Sequence, residues 1–458
     1  MNLEENNIPT KSDPMTENDN TLSNLVGKTS NYSEWKDVIK INFPELVLPA
    51  EVCLSMFGQL LIEDIVNPCA IVLVDVPSAG KTIILNMFTG TDYTYATDNF
   101  TPSSFVSQAA NVKKEKLAEV DLLPRIKDKV LIIRDMAPLF GQRDDDLLRN
   151  MGVLTRVMDG EGLQIDAGVH GSRGYSGSYN FMLLAASTPI SPRIFKLMGN
   201  LGSRLFFLNV LSTTKTEVEL AEQLIKSSWK EKQKMCTSAS QSYIETLFKT
   251  FPNGITWNKQ NDSMEIIKII SRAASILAKL RGSINVWKDS SLDGTDYSYQ
   301  EPVIEKPDRI NQILYNLARG HALVCDRTQI SSEDVKIVLN VAFDSAPSSR
   351  TKIFRFLILN NGAATTTEIV TRLNCSSTTA DKEMEKLKIL GIVDMTTDCD
   401  DFPGRPSKMI RFKKEFEWFY SNECLNLIEI KNTNDKQVAI EKQETLASPE
   451  EKIFNEFL

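Results

Sequence analysis

Gly80, Lys81 and Thr82 close a short turn between two apolar runs in AIVLVDVPSAGKTIILNMFTG (70–90). Ile71 to Val74 reads as a buried strand, Ile83, Ile84 and Leu85 open a helix, and Pro77, Ser78, Ala79 and Gly80 make the turn between them. A strand, a glycine-bearing loop and a helix start, in that order, form a cradle for phosphates. Backbone N–H groups would surround the phosphates, Lys81 would reach the outer ones, and the Thr82 hydroxyl would ligate magnesium. The expected ligands are therefore a nucleotide and Mg2+. In the usual pattern a glycine stands five residues before the Gly-Lys-Thr, and Asp75 holds that place here.

Hydrolysis needs an acid at the end of a neighbouring strand. The run VLIIRDM (130–136) supplies Asp135, which would bind magnesium through water or polarise the attacking water. Such sites usually carry two acids in succession, and Arg134 takes the place of the first.

These groups need a sheet to hold them. Val130–Ile133, Phe181–Ala186 and Leu205–Val210 read as further buried strands, each separated from the next by helical sequence such as Asp144–Asp159. Strands alternating with helices predict a parallel sheet with flanking helices, an α/β core over 34–213. Trp35–Phe43 and Ala50–Ile65 read as helices leading into it, and the glycine-rich stretch between Gly162 and Tyr179 as a β-hairpin, with His170 as a turn residue. Over 214–346 the pattern is helical, with candidates at Val218–Met235, Ser263–Leu280, Arg309–Val324 and Ser332–Phe343, the last capped by Ser332. Over 347–420, helices at Arg350–Leu359, Thr366–Leu373 and Ser377–Leu390 precede a two-stranded ribbon, IVDMTT and MIRF, which is the winged helix arrangement. Residues 1–33 and 421–458 are polar or charged and are expected to be flexible tails.

Composition removes several classes. With 458 residues, 42% apolar and 24% charged, the chain has material for two or three globular domains, and no run is long enough to span a membrane. Seven scattered cysteines without a CxxC pair argue for reduced thiols in the cytoplasm and against a zinc site or a disulfide scaffold. A net charge of −8 gives no global attraction to polyanions, so any contact with DNA must come from a local patch or a ring lumen.

Over about residues 45–345 the sequence resembles AAA+ ATPases of the branch with a hairpin before sensor 1, nearest to minichromosome maintenance helicases and MoxR-type ATPases. LSMFGQLLIEDIVNPCAIVLVDVPSAGKT is similar to that family's lead-in helix and phosphate loop, VLIIRD to its acid-bearing strand, and VMDGEGLQIDAGVHG to the hairpin. LLAASTP resembles the sensor 1 strand, LGSRLFF the arginine-finger segment, KPDRINQILYNLARGHAL the sensor 2 helix, and DRTQISSEDVKIVLNVA the final helix of the lid. The resemblance implies a P-loop AAA+ core, an all-α lid and a C-terminal winged helix. It implies Thr188 as the sensor hydroxyl, Arg204 as a finger stabilising charge on a neighbouring subunit's γ-phosphate, and Arg309 as the lid arginine coupling nucleotide to lid angle. A finger acting between subunits requires a homo-oligomer, expected to be a hexameric ring.

The winged helix offers Thr378, Thr379, Lys382, Lys386 and Lys388 on its third helix and Arg405, Lys408 and Arg411 on its wing as DNA contacts. Asp381, Glu383 and Glu385 interleave with them, which leaves a protein contact open. Three functions follow: an ATP-driven motor on DNA, helicase-like or remodelling DNA in replication or mobile elements; a MoxR-type ATPase remodelling a protein partner; and an ATP-gated DNA-binding regulator. The hairpin residues Arg173 and Tyr175 lean toward DNA.

Overall fold

The computed structural model describes residues 31–107, 113–167, 171–202, 204–210, 215–226, 228–288, 297–398 and 407–428. The N-terminal tail, Gly168 and His170 of the hairpin turn, Arg405 of the wing and most of the C-terminal tail lie outside the described residues.

Helices α1 (Tyr32–Asn42) and α2 (Val47–Leu60) lead into strand β1 (Ala70–Val74), which is followed by α3 (Lys81–Met87) and β2 (Thr94–Thr97). Strand β3 (Val130–Ile133) and helix α4 (Asp144–Val157) precede a hairpin of β4 (Gly162–Ala167) and β5 (Gly171–Ser176). Then come β6 (Met182–Ser187), α5 (Pro192–Leu201) and β7 (Leu205–Asn209). Five strands form one parallel sheet in the order β2-β3-β6-β1-β7. The expected α/β architecture with a parallel sheet is therefore present. Strand β2 goes beyond the sequence reading: TYAT carries no apolar run because it lies at the sheet edge, largely half-buried.

The central strands are buried on both faces, and their alternate residues divide between two cores. Ile71, Leu73, Ile132, Leu184, Phe206 and Leu208 face one apolar cluster, which continues through α2 and into the C-terminal half of the chain. Val72, Val74, Leu131, Ile133, Leu183, Ala185 and Phe207 face the other, built with α4 and α5.

The helical segment that follows contains α6 (Glu217–Lys226), α7 (Trp229–Thr250) and α8 (Met264–Arg281), a small hairpin of β8 (Val286–Lys288) and β9 (Tyr297–Tyr299), then α9 (Asp308–Val324) and α10 (Ser332–Asp344). The helix expected at Val218–Met235 is two helices, and the second runs on to Thr250. Its buried face, Cys236, Ala239, Ser240, Tyr243, Ile244 and Leu247, keeps helical spacing but mixes small and polar residues with apolar ones. The cap of α10 is Ser331 rather than Ser332, in a reciprocal capping box with Asp334.

This segment closes the open edge of the sheet. The β7 amides of Phe207 and Asn209 donate to Ser345 Oγ at 2.8 Å and Asp344 Oδ2 at 2.9 Å, and Arg281 donates to Leu205 O at 2.8 Å. An edge strand that would otherwise present unpaired N–H groups is thereby satisfied.

Helices α2 and α9 cross with their backbones in contact. A Cβ on Gly320 would lie 2.4 Å from Ser55 O, and one on Gly58 would lie 2.3 Å from Gly320 O. Neither neighbour is a flexible side chain that can swing away. Gly320→Ala is therefore expected to destabilise the protein by about 2 kcal/mol despite the better helix propensity of alanine. Denaturant unfolding measures the loss, and an unchanged midpoint would contradict the crossing.

The last module holds α11 (Ser348–Leu359), β10 (Ala363–Thr365), α12 (Thr366–Leu373), α13 (Ser377–Ile389), β11 (Val393–Asp398) and β12 (Ser407–Phe412). Its strands pair antiparallel in the order β10-β12-β11. Arg350 fixes it to α8 by donating to Leu280 O and Gly282 O, both at 2.7 Å. Among the described residues no helix is long and apolar enough to cross a membrane.

Candidate nucleotide site and the faces around it

The connections run to opposite sides from β1 and β6. The connection after β1 runs to the β2 edge, whereas the connection after β6 passes over β1 to β7. Ligands of parallel α/β sheets bind in the crevice outside the carboxyl ends of strands at such a switch point. The 70–90 loop begins there. Asp75 N donates to Ser187 O at 3.4 Å, and Met136 N donates to Ala186 O at 2.8 Å. The segments after β1, β3 and β6 are thus tied side by side, and they bring Lys81, Thr82, Asp135 and Thr188 to one end of the sheet.

In the loop the left-handed positions are Ser78, at φ 66°, and Gly80, at φ 88°. Asp75 is not among the positive-φ residues, so the turn does not need glycine at that place. Lys81 Nζ donates to Asp75 O at 2.6 Å and Val76 O at 2.7 Å. Its ammonium thus caps carbonyls of the loop that it would have to leave for phosphate oxygens. Partial burial pulls the Lys81 pKa down, and the nearby Asp75 and Asp135 carboxylates only partly offset it.

Thr82, Asp135 and Thr188 are all exposed. Asp135 Oδ1 accepts Ala137 N–H at 2.8 Å, which orients the carboxylate. A hydroxyl and carboxylates fit magnesium, which prefers few protein oxygens and completes its octahedron with phosphate and water. Among the described residues no group of three or more His, Cys, Asp or Glu could hold a metal by itself. Arg134, in the place of the other acid, turns from the loop to Asn86 Oδ1 at 2.9 Å and Asp98 Oδ1 at 2.8 Å.

Arg204 and Arg309 lie elsewhere. Arg204 immediately precedes β7, whose Leu205 pairs with Ala70 at the start of β1, while Lys81 lies beyond the end of β1. A five-residue strand rises roughly 16 Å, so the two cations occupy opposite ends of the sheet. Arg204 is 8% exposed and donates to Asp159 Oδ1 through Nε at 3.1 Å and Nη2 at 2.8 Å, and to Gly202 O at 2.9 Å. Burial pulls its pKa down, Asp159 opposes that, and the charge of Arg309 adds to it. The two guanidinium groups flank Gly202: a Cβ there would lie 3.2 Å from Arg204 Nη1 and 3.6 Å from Arg309 Nη1. Asp159, which sequence reasoning did not single out, stands in the VMDGEG stretch before the hairpin.

The hairpin is anchored by its own side chains. Arg173 and Tyr175 point to Asp121, a fully buried carboxylate between two short helices (Leu117–Val120 and Leu122–Ile126). Arg173 Nη2 donates to Asp121 Oδ2 at 2.6 Å, Tyr175 Oη donates to the same oxygen at 2.7 Å, and Ser107 N donates to Oδ1 at 2.6 Å. These two residues therefore serve the attachment of the hairpin.

On the last module, Thr379 and Lys382 of α13 and Arg411 of β12 are exposed. Lys386 is paired with Glu383, and Lys388 with Glu385 at 3.0 Å. Lys408 lies 5.9 Å from the ring centroid of Tyr297, on β9. Thr379 sits in the first turn of α13, with its hydroxyl 3.0 Å from that of the cap Ser376.

No protein-family model matches the sequence, and no curated protein matches it.

Proposed function

We propose that the chain is an AAA+ ATPase of the hairpin-bearing branch, with 214–346 as its lid and the last module as a winged helix, working as a cytoplasmic ring motor on DNA. The observation that carries the reading is the meeting of Lys81, Thr82, Asp135 and Thr188 outside the carboxyl ends of β1, β3 and β6, at the switch point of the sheet. Lys81 would bind the outer phosphates, Thr82 and Asp135 would hold Mg2+, and Thr188 would orient water. Arg204, at the opposite end, would serve the nucleotide of a neighbouring subunit, and Arg309 beside it would couple nucleotide state to the angle of the lid. Lys382, Lys408 and Arg411 would carry the phosphate contacts to DNA.

A specific observation favours a second reading, the remodelling of a protein partner. Three of the cations that would touch DNA are neutralised within the chain: Lys386 and Lys388 by glutamates, Arg173 by Asp121. Steady-state ATP hydrolysis by the full chain, with single-stranded DNA, duplex DNA or neither, separates the readings. The motor predicts hydrolysis stimulated by DNA and reduced at least a hundredfold in Lys81→Ala. Hydrolysis indifferent to DNA favours protein remodelling. ATP bound without turnover favours the gated regulator, for which the replacement of an acid by Arg134 is the motive, and no binding of ATP refutes all three.

A further inference from the structure

Away from the sheet, Cys325 closes the C-terminal end of α9, half-buried, with its Sγ 3.6 Å from His321 Nε2. His321 is held from its other side, where Nδ1 lies 2.6 Å from Asp334 Oδ1. A carboxylate at Nδ1 keeps a proton there and leaves Nε2 facing the sulfur. Asp334 is itself fully buried and clamped by Arg327 through Nη1 at 2.7 Å and Nη2 at 2.8 Å, so the carboxylate, imidazole and thiol form a fixed series.

We propose that Cys325 is a reactive cysteine and a site of modification by small oxidants, with His321 as the base that takes its proton and the acid that returns one. The groups facing it support this. Tyr32 and Lys36 approach from α1, Glu51 from α2, and Glu333 and Asp334 from α10, while Asp326 and Arg327 follow Cys325 in the chain. Glu51 is engaged by Tyr32 and Lys36, and Asp334 by His321 and Arg327, while His321 Nε2 faces the sulfur. Burial pulls the His321 pKa down, but Asp334 and Cys325 outweigh it and raise it to about 9, which suits the imidazole to take a proton from the sulfur.

With hydrogen peroxide, the Cys325 thiolate attacks one peroxide oxygen. The S–O bond forms as the O–O bond breaks, and the departing hydroxide takes the proton of His321 Nε2 to become water. Sulfur loses two electrons, peroxide gains them, and the products are a sulfenic acid and a neutral imidazole. The buried cysteines differ: Cys53, Cys69 and Cys424 are pushed well above the usual thiol range by burial alone or with a nearby acid, and Cys236 to about 12. Cys375, half-buried, serves as an internal reference.

The test is alkylation of the native full chain by iodoacetamide at pH 7, with the rate at each cysteine read by mass spectrometry. Dimedone trapping after hydrogen peroxide is run in parallel. Cys325 is expected to react at least tenfold faster than Cys375 and to be the dimedone-labelled position. In His321→Gln its rate should fall to that of Cys375, whose own rate stays constant and reports that the variant is folded. If that variant does not fold, dimedone trapping in the native chain decides, with label expected at Cys325 and none at Cys375. A rate equal to that of Cys375, a rate unchanged by His321→Gln, or no dimedone label at Cys325 would overturn the proposal.

Discussion

Asp121→Ala is expected to lower the unfolding free energy by about 3–5 kcal/mol and to free the β4–β5 hairpin from the core. The carboxylate is fully buried, and its partner Arg173 is only 10% exposed on its side chain. The substitution leaves a guanidinium with little water to replace the lost charge, a Tyr175 hydroxyl without its acceptor, and the Ser107 amide without its 2.6 Å bond. Two connections fail together, because Asp121 ties the hairpin and the Ser107 backbone to the same point. Removing charge from both sides should cost far less: Asp121→Leu with Arg173→Met exchanges the pair for apolar packing and is expected to recover most of the stability. Tyr175→Phe, which removes only one neutral donor, should cost about 1 kcal/mol. Denaturant unfolding gives the energies, and amide exchange over 162–176 reports release of the hairpin. A loss below about 1 kcal/mol in Asp121→Ala would mean that the carboxylate is not paired as described.

Four of the five strands of the parallel sheet were legible because parallel strands covered on both faces must be continuously apolar, and AIVLV, VLII, MLLAA and LFFL are. Strand β2 was not, since an edge strand is released from that demand. The length of α7 was hidden by the serines, threonines and glutamine that its partly buried face carries. At the candidate site, everything local in sequence was legible: the loop, Asp135 at a strand end, Thr188 after another. The partners of the arginines were not. Asp159 is 45 positions from Arg204, and Asp121 is 52 from Arg173, so only the fold brings each pair together. Each arginine was visible as a charge, but whether it faces a ligand or a carboxylate of its own chain is decided by packing.

Arg204→Ala carries the largest effect on activity under the proposed function, a fall in ATP hydrolysis of about a thousandfold or more. Its place explains why the effect would cross subunits. Leu205 aligns with the first residue of β1 and Lys81 follows the last, so Arg204 cannot reach phosphates held by its own loop. Chains of Arg204→Ala keep an intact loop and lack the finger, whereas chains of Asp135→Asn keep the finger and lack the acid. Mixed, they should regain activity that neither has alone, because some interfaces then combine both intact halves. The bond to Asp159 supplies the competing explanation, in which Arg204 only braces the segment before the hairpin. Asp159→Asn separates the two: it weakens the brace and leaves the guanidinium in place. A bracing arginine predicts that Asp159→Asn loses activity as Arg204→Ala does and that mixing restores nothing. A finger predicts that Asp159→Asn keeps most of the activity, since a γ-phosphate from a neighbouring subunit competes with Asp159 for the same guanidinium and the weakened bond makes it easier to recruit.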